Sequence, residues 1–470
     1  MSPSEPVVHV AFLPSAGMGH LNPCLRIATL FLRHGCKVTL ITPKPTVSTA
    51  ESNLVSRFCS SFPHQATQID LNPATVNTND PFWLQFETIR RSVHLVAPIL
   101  SSLSTPLSAF IYDISLISPL VPITQKLSCP SYMYFVASAR MFSFFAHLHV
   151  LAASDPSSQP HPSSFIGDGV KIPGIASPIP RSSVPPLLLQ PNSLFESIFM
   201  EDSAKVTKLN GVFINSFEEM EGEALAALNE GKVVKGLPPV YGVGPLMTCE
   251  FEEVEQGKGG CMGSVLEWLD EKSEGSVVYV CFGNRTATRR EQIKDMALGL
   301  TESGYSFLWV VKLKGGDKEE EEGLEDVLGS KLMSKVKEKG MVVKEYVYQM
   351  EILGHPAVGG FVNHGGWNSI IECVWQGVPI LSWAQGGDQK IASEAVRISG
   401  VGIWPQEWGW GSEHVVNGKE IADRIKEMME NESLRVKAKE MKKAARNAAG
   451  VGGRCEVIVK KLIEEWKKNV

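Results

Sequence analysis

The sequence predicts an α/β protein made of two doubly wound domains with parallel sheets. Three observations carry that expectation. The first is a β–α–β opening: the apolar run Val7–Pro14, a glycine-bearing loop, a helix to Arg33, and the strand Lys37–Thr42. A strand that returns parallel after a helical crossover belongs to a sheet covered on both faces. The second is that the same rhythm restarts at Ser276–Gly283, continues into a helix from near Arg290 and reaches the strand Phe307–Val311. The third is size, since 470 residues with 43% hydrophobic side chains provide core for two domains of ordinary dimensions.

Composition excludes several classes. With 45 basic and 51 acidic side chains the net charge is -6, which gives no excess of cations for a nucleic acid. The nine cysteines are odd in number, scattered and never spaced C-x-x-C, so neither a disulfide framework nor a zinc site is expected. A reducing cytoplasm is the expected home. Met1–Pro6 lacks a basic n-region, and no apolar run approaches the roughly twenty residues of a membrane span.

In chain order, the loop Ser15–His20 starts like a dinucleotide fingerprint with Gly17 and Gly19. Asn22 then occupies the third glycine's place, and Thr42 and Pro43 stand where an acid would hold a ribose, so an oxidoreductase is discounted. His20 sits before a helix opened by Asn22 and Pro23, beside the crevice where open α/β sheets bind ligands. Ala109–Tyr112 reads as a strand closed by Asp113, whose carboxylate can hold the far nitrogen of His20, cap a helix, or do both. Asp80 and Phe82 precede a helix carrying Phe86, Ile89, Arg90 and Arg91, whose aromatics at helical spacing suit a core. Ser131–Phe145 is a strand running into an apolar helix, and the proline-rich stretch 154–191 reads as a long surface loop.

Gly211–Asn215 and Val240–Leu246 complete a first domain, residues 1–247, and the polar, glycine-rich stretch 248–263 is expected to be a linker. The second domain spans 264–450. Within it Asn284, Arg285 and Thr286 follow a strand as a turn with a helix cap, and the acidic run Asp317–Glu322 reads as a solvated loop. Ile421, Ile425, Met428 and Met429 share one helix face. Residues 451–470 form a last helix with Val459, Leu462, Ile463 and Trp466 on one face.

The most informative stretch is 346–389. The run Val358–Val362 ends in Asn363-His364-Gly365-Gly366-Trp367-Asn368-Ser369 and leads into a helix through Gln376. Glycines let a ligand approach the backbone, and the unpaired N–H groups of a helix start favour an anion. His364, Asn368 and Ser369 add donors that suit a diphosphate. Glu372 offers a carboxylate to vicinal hydroxyls, and Asp388 with Gln389 suits a sugar.

This stretch resembles the sugar-nucleotide signature (PSPG) box of plant UDP-dependent glycosyltransferases, and the likeness extends along the whole chain. The resemblance implies the GT-B architecture, two Rossmann-like domains facing a central cleft, with the last helix returning to the first domain. It also implies that Tyr346 stacks on uracil beside Gln349, Glu372 holds the ribose, and His364, Asn368 and Ser369 hold the diphosphate. Trp367, Asp388 and Gln389 would hold the hexose, the final Gln pointing to glucose, and His20 would be the general base oriented by Asp113. Tyr346 replaces the commoner Trp, Gly365 the commoner Cys, Ala384 the commoner Pro, and Val136 a Thr that usually contacts the sugar.

The Asp113-Ile114 order and the phrases DPFWLQFETIRRSVHL and FGNRTA are similar to the C-glycosyltransferase branch acting on flavonoid precursors. The resemblance thus implies an inverting C-glucosyltransferase using UDP-glucose as co-substrate and a phenolic acceptor near Asp80, Phe82 and Ile114. Asn284 and Thr286 join the donor set. No metal or other cofactor is expected, in keeping with the absence of a D-x-D motif, and the chain is expected to be a cytoplasmic monomer. An O-glucosyltransferase is the alternative, followed by a non-catalytic UDP-sugar-binding protein.

Overall fold

The computed structural model describes residues 7–46, 48–72, 81–155, 161–252, 261–283, 288–312, 323–345, 347–411 and 413–468, with backbone alone at 81–84. The chain forms two compact units. Met1–Arg181, Leu187–Val254 and Asn447–Val470 make the first; Ser182–Pro186 and Glu255–Arg446 make the second.

The first unit holds the strands β1 (His9–Leu13), β2 (Lys37–Pro43), β3 (Ala66–Leu71), β4 (Ala109–Asp113) and β5 (Ser131–Phe135). A small hairpin of β6 (Gly169–Val170) and β7 (Ile179–Pro180) follows, then β8 (Gly211–Ile214) and β9 (Val240–Gly242). The seven-stranded sheet runs β3-β2-β1-β4-β5-β8-β9, all parallel. Its central strands are buried along their whole length, which is why they read as unbroken apolar runs rather than alternating ones. Strand order reverses between β1 and β4, whose ends are in register at Leu13 and Tyr112. A crevice therefore opens beyond the carboxyl ends of these two strands.

Two expectations are corrected here. The helix after β1 is Met18–Arg33, beginning four residues ahead of Asn22, so His20 lies in its first turn and not in a preceding loop. Gly17, at φ 91°, makes the entry possible, and its carbonyl accepts the N–H groups of both His20 and Leu21 at 3.0 Å. The proline-rich stretch is not a plain surface loop either. It pairs β6 with β7, forms the short helix Pro162–Phe165, and buries Ile166, Ile172, Ile175, Val184 and Leu188. Prolines reduce the freedom that such irregular chain loses on ordering, so a few buried isoleucines suffice.

The helix Arg454–Lys467 belongs to the first unit. Cys455, Val459, Leu462, Ile463 and Trp466 fall at helical spacing and enter the same core as Phe31, Tyr132 and Phe213. The Trp466 ring stacks on Phe31 with centroids 5.2 Å apart, and its Nε1 donates to the Tyr132 hydroxyl at 2.8 Å.

In the second unit β10 (Val277–Cys281), β11 (Ser306–Val310), β12 (Gly340–Val343), β13 (Val358–Asn363), β14 (Ile380–Ser382) and β15 (Gly402–Ile403) form a parallel sheet ordered β12-β11-β10-β13-β14-β15. The order reverses between β10 and β13, giving a second crevice of the same kind. Its core gathers Val278, Val280, Phe307, Trp309, Trp383 and Trp408 with Ile421, Ile425, Met428 and Met429 of the helix Gly418–Glu430. Among the described residues no helix is long and apolar enough to cross a membrane.

Candidate active and nucleotide sites

At the first crevice, the helix after β1 delivers His20 and the end of β4 delivers Asp113. His20 Nδ1 lies 2.7 Å from Asp113 Oδ2, with the His20 side chain 19% exposed and Asp113 fully buried. The other carboxylate oxygen, Oδ1, accepts the backbone N–H of Ser115 at 3.0 Å and its hydroxyl at 2.7 Å. The sequence Asp-Ile-Ser makes this turn because an Asp side chain readily accepts from the peptide two residues on. Asp113 thus caps the turn and holds the imidazole at once. Burial alone would push its carboxyl up, but the His20 imidazole and the two Ser115 donors outweigh burial and hold it below the usual carboxylate range. A carboxylate in this position favours the tautomer with the proton on Nδ1, which makes Nε2 the basic nitrogen.

Two further groups fix His20. The Tyr134 hydroxyl, from β5, donates to the His20 carbonyl at 3.2 Å, and Phe86 meets the imidazole edge-on with centroids 5.3 Å apart. Ile114 follows Asp113 directly and is 5% exposed. Ser115 could have been anticipated from its place two residues after the acid; nothing in the sequence around Tyr134 points to its role.

At the second crevice, β13 ends in Asn363 and the helix Trp367–Gln376 begins after two glycines. Its cap residue, Gly366, brings no side chain to the first N–H groups, which point out from the start of the helix. Gly365 takes φ 78°, and its N–H donates to Asn363 Oδ1 at 2.7 Å. The His364 imidazole lies between backbones: an added Cβ at Gly366 would stand 2.4 Å from Nε2, and one at Gly283, after β10, 3.1 Å from Cε1. Burial lowers the His364 pKa to about 4, with the Cys281 carbonyl a weaker opposing pull. At neutral pH it is an uncharged donor.

The structure also gathers Gln349, Ser369 and Glu372. Gln349 Nε2 donates to Glu372 Oε2 at 2.8 Å and to Ser369 Oγ at 3.1 Å. Trp367 is packed at 3% exposure, and the buried Asn368 Oδ1 has no hydrogen-bond partner among the described residues. Asp388 is the cap residue of the helix Gln389–Ser399. The Gln389 side chain turns back, its Oε1 accepting from the N–H groups of Gln385 at 2.8 Å and Gly386 at 3.0 Å. That leaves the NH₂ end of the amide as the group it can present. Sequence reasoning missed Trp383, whose buried Nε1 has no hydrogen-bond partner among the described residues and which lines a pocket with Phe282, Gly283, Trp309 and Lys312. Asp80, the Phe82 side chain, Asn284, Thr286 and Tyr346 lie outside the described residues.

Two Rossmann-like units, each with a site at its switch point, have the fold of a GT-B glycosyltransferase. The family of UDP-glucoronosyl and UDP-glucosyl transferases matches residues 263–445. UDP-glycosyltransferase 708D1 of Glycine max is 73% identical over 478 residues, covering 100% of this chain and 99% of that protein. The chain belongs to the family 1 UDP-glycosyltransferases of plants. Among solved structures, LpCGTa in complex with UDP has a TM-score of 0.84 at 39% identity, over 98% of this chain and 99% of that one. Medicago truncatula UGT71G1 complexed with UDP-glucose has a TM-score of 0.86 at 26% identity, over 99% and 100%.

Proposed function

We propose that this UDP-glycosyltransferase is an inverting C-glucosyltransferase that moves glucose from UDP-glucose to a carbon of a flavonoid-type polyphenol. The observation that carries the proposal is the His20–Asp113 pair, a histidine in the first turn of a helix held at 2.7 Å by a buried carboxylate. His20 Nε2 takes the proton of a phenol, and Asp113 stabilises the imidazolium that forms. The phenolate spreads its charge onto the ortho and para carbons. An electron-rich ring carbon displaces UDP, which leaves with the bonding electron pair, from the anomeric carbon with inversion, and the ring carbon then gives its proton to solvent to regain aromaticity.

Departure of UDP is assisted by the N–H groups at the start of the helix Trp367–Gln376 and by the uncharged His364. Glu372 is proposed to hold the ribose, with Gln349 beside the base on which Tyr346 is proposed to stack. Asn368 and Ser369 are proposed, with His364, to hold the diphosphate, and Asn284 and Thr286 beside them. Trp367, Asp388 and Gln389 are proposed for glucose. Asp80, Phe82 and Ile114 are proposed to contact the acceptor, a trihydroxyphenyl ketone such as phloretin or a 2-hydroxyflavanone. A metal is proposed to be dispensable, because neutral donors and a helix start already face the leaving group; rates that fall on adding EDTA and recover with a divalent cation contradict this. The proposed setting is a cytoplasmic monomer.

The Asp113-Ile114 order and the name of LpCGTa support carbon over oxygen transfer. The test is incubation with UDP-glucose and phloretin, then heating of the product in dilute acid and fragmentation. A C-glucoside survives acid and breaks across the sugar ring. Hydrolysis to free glucose identifies an O-glucosyltransferase instead.

A further inference from the structure

The turn that carries Asp113 is gripped from its far side by the buried Arg90–Asp202 pair, in which burial outweighs the guanidinium and pushes the Asp202 carboxyl up to about 7. The helix Pro81–Arg91 places Phe86 and Arg90 four residues apart, on one face. Phe86 meets the His20 ring, while Arg90 Nη1 donates to the Ser115 carbonyl. The same nitrogen reaches Asp202, 3.0 Å from Oδ2 and 3.3 Å from Oδ1, and Arg90 Nη2 donates to Glu201. Asp202 lies in the helix Leu194–Ser203, fully buried, and its Oδ1 accepts the N–H of Ser118 at 2.6 Å.

The Ser115 residue is therefore held at both polar ends, its N–H by Asp113 and its carbonyl by Arg90, while Asp202 pins Ser118 one turn further on. A buried ion pair contributes little net stability compared with apolar side chains of the same volume, because both charges must leave water. Stability alone gives no reason for this pair to stand here; its hydrogen bonds to the turn do.

We propose that Arg90, anchored by Asp202, is a positioning residue that keeps Asp113 in register with His20. The proposal rests on the reading of His20 as the base. Without the grip on the Ser115 carbonyl, the 113–118 turn can rotate and the Asp113 carboxylate swings off Nδ1. No atom of Arg90 needs to meet substrate for this.

The test is a double-mutant cycle in the full-length protein with UDP-glucose and phloretin, using Arg90→Met, Asp113→Asn and the double variant. Arg90→Met is expected to lower kcat by roughly 10- to 100-fold, as small misplacements of catalytic groups do, with the KM for UDP-glucose within about twofold of wild type. In the Asp113→Asn background the same change is expected to cost less than about threefold, because the geometry it protects is already lost. Near-UV circular dichroism and the midpoint of denaturant unfolding establish that the first unit of each variant is folded. Equal losses in both backgrounds, or a loss confined to KM, overturn the proposal. Should Arg90→Met fail to fold with Asp202 left unpaired, Asp202→Asn, which keeps a hydrogen-bonding side chain without the charge, is run through the same cycle under the same criterion. His20→Ala is assayed alongside: full activity there overturns the base assignment itself, whereas an inactive His20→Ala with additive Arg90 effects overturns only the positioning role.

Discussion

At the scale of single residues, two histidines stand in opposite surroundings. His20 faces a buried carboxylate, so in the proposed mechanism removing either partner strips the base or its orientation. His20→Ala is expected to lower kcat by roughly 10²- to 10⁴-fold while UDP binding, measured by titration calorimetry, stays unchanged. Among the described residues His364 has no charged partner, and burial holds it neutral. The folded protein therefore takes up its proton only near pH 4, whereas an unfolded histidine does so near 6.5. Between those values the unfolded chain binds the additional proton. Stability from this group is complete above about pH 6.5 and is lost as pH falls toward 4, by up to ~3 kcal/mol. Urea unfolding of wild type and His364→Gln near pH 7 and near pH 5 checks this: the wild type is expected to lose more stability than the variant over that interval, and parallel losses contradict it.

At the scale of elements, the helix Trp367–Gln376 works through what it lacks at its start. A side chain at Gly366 would occupy the space of the His364 ring, 2.4 Å from Nε2. Gly366→Ala is thus expected to displace that donor and raise the KM for UDP-glucose about tenfold, the equivalent of one lost hydrogen bond near a charged group, with the fold retained. Much of this element was legible in sequence, because strand, glycines and amphipathic helix follow one another within a short span. So was the β–α–β order of both halves, from apolar runs alone. The start of the first helix was misjudged, since Asn22 and Pro23 look like an opening and the freedom of Gly17 at φ 91° leaves no mark in composition. The 162–188 segment was misjudged for a related reason: its buried isoleucines are dispersed among prolines and show no period. Tyr134 and Asp202 reach the His20 turn from distant strands and helices, so only the fold could reveal them.

At the scale of the whole molecule, the first unit's core is assembled from both ends of the chain. Trp466 lies in one cluster with Phe31 and Tyr132, and the Cys455 thiol donates to the Val243 carbonyl at 2.9 Å. Trp466→Ala is expected to destabilise this unit by about 3–5 kcal/mol, read as a lowered midpoint in denaturant unfolding; a change below about 1 kcal/mol contradicts the packing described. The order of synthesis gives this arrangement a further meaning. A ribosome releases Phe31 and Tyr132 long before the residues that cover them, so the nascent amino-terminal half carries an apolar trough while the whole donor-binding half is still being made. Chaperones that shelter exposed hydrophobic surface have their period of service there, and a premature stop shortly before Arg454 leaves them nothing to release into a finished core.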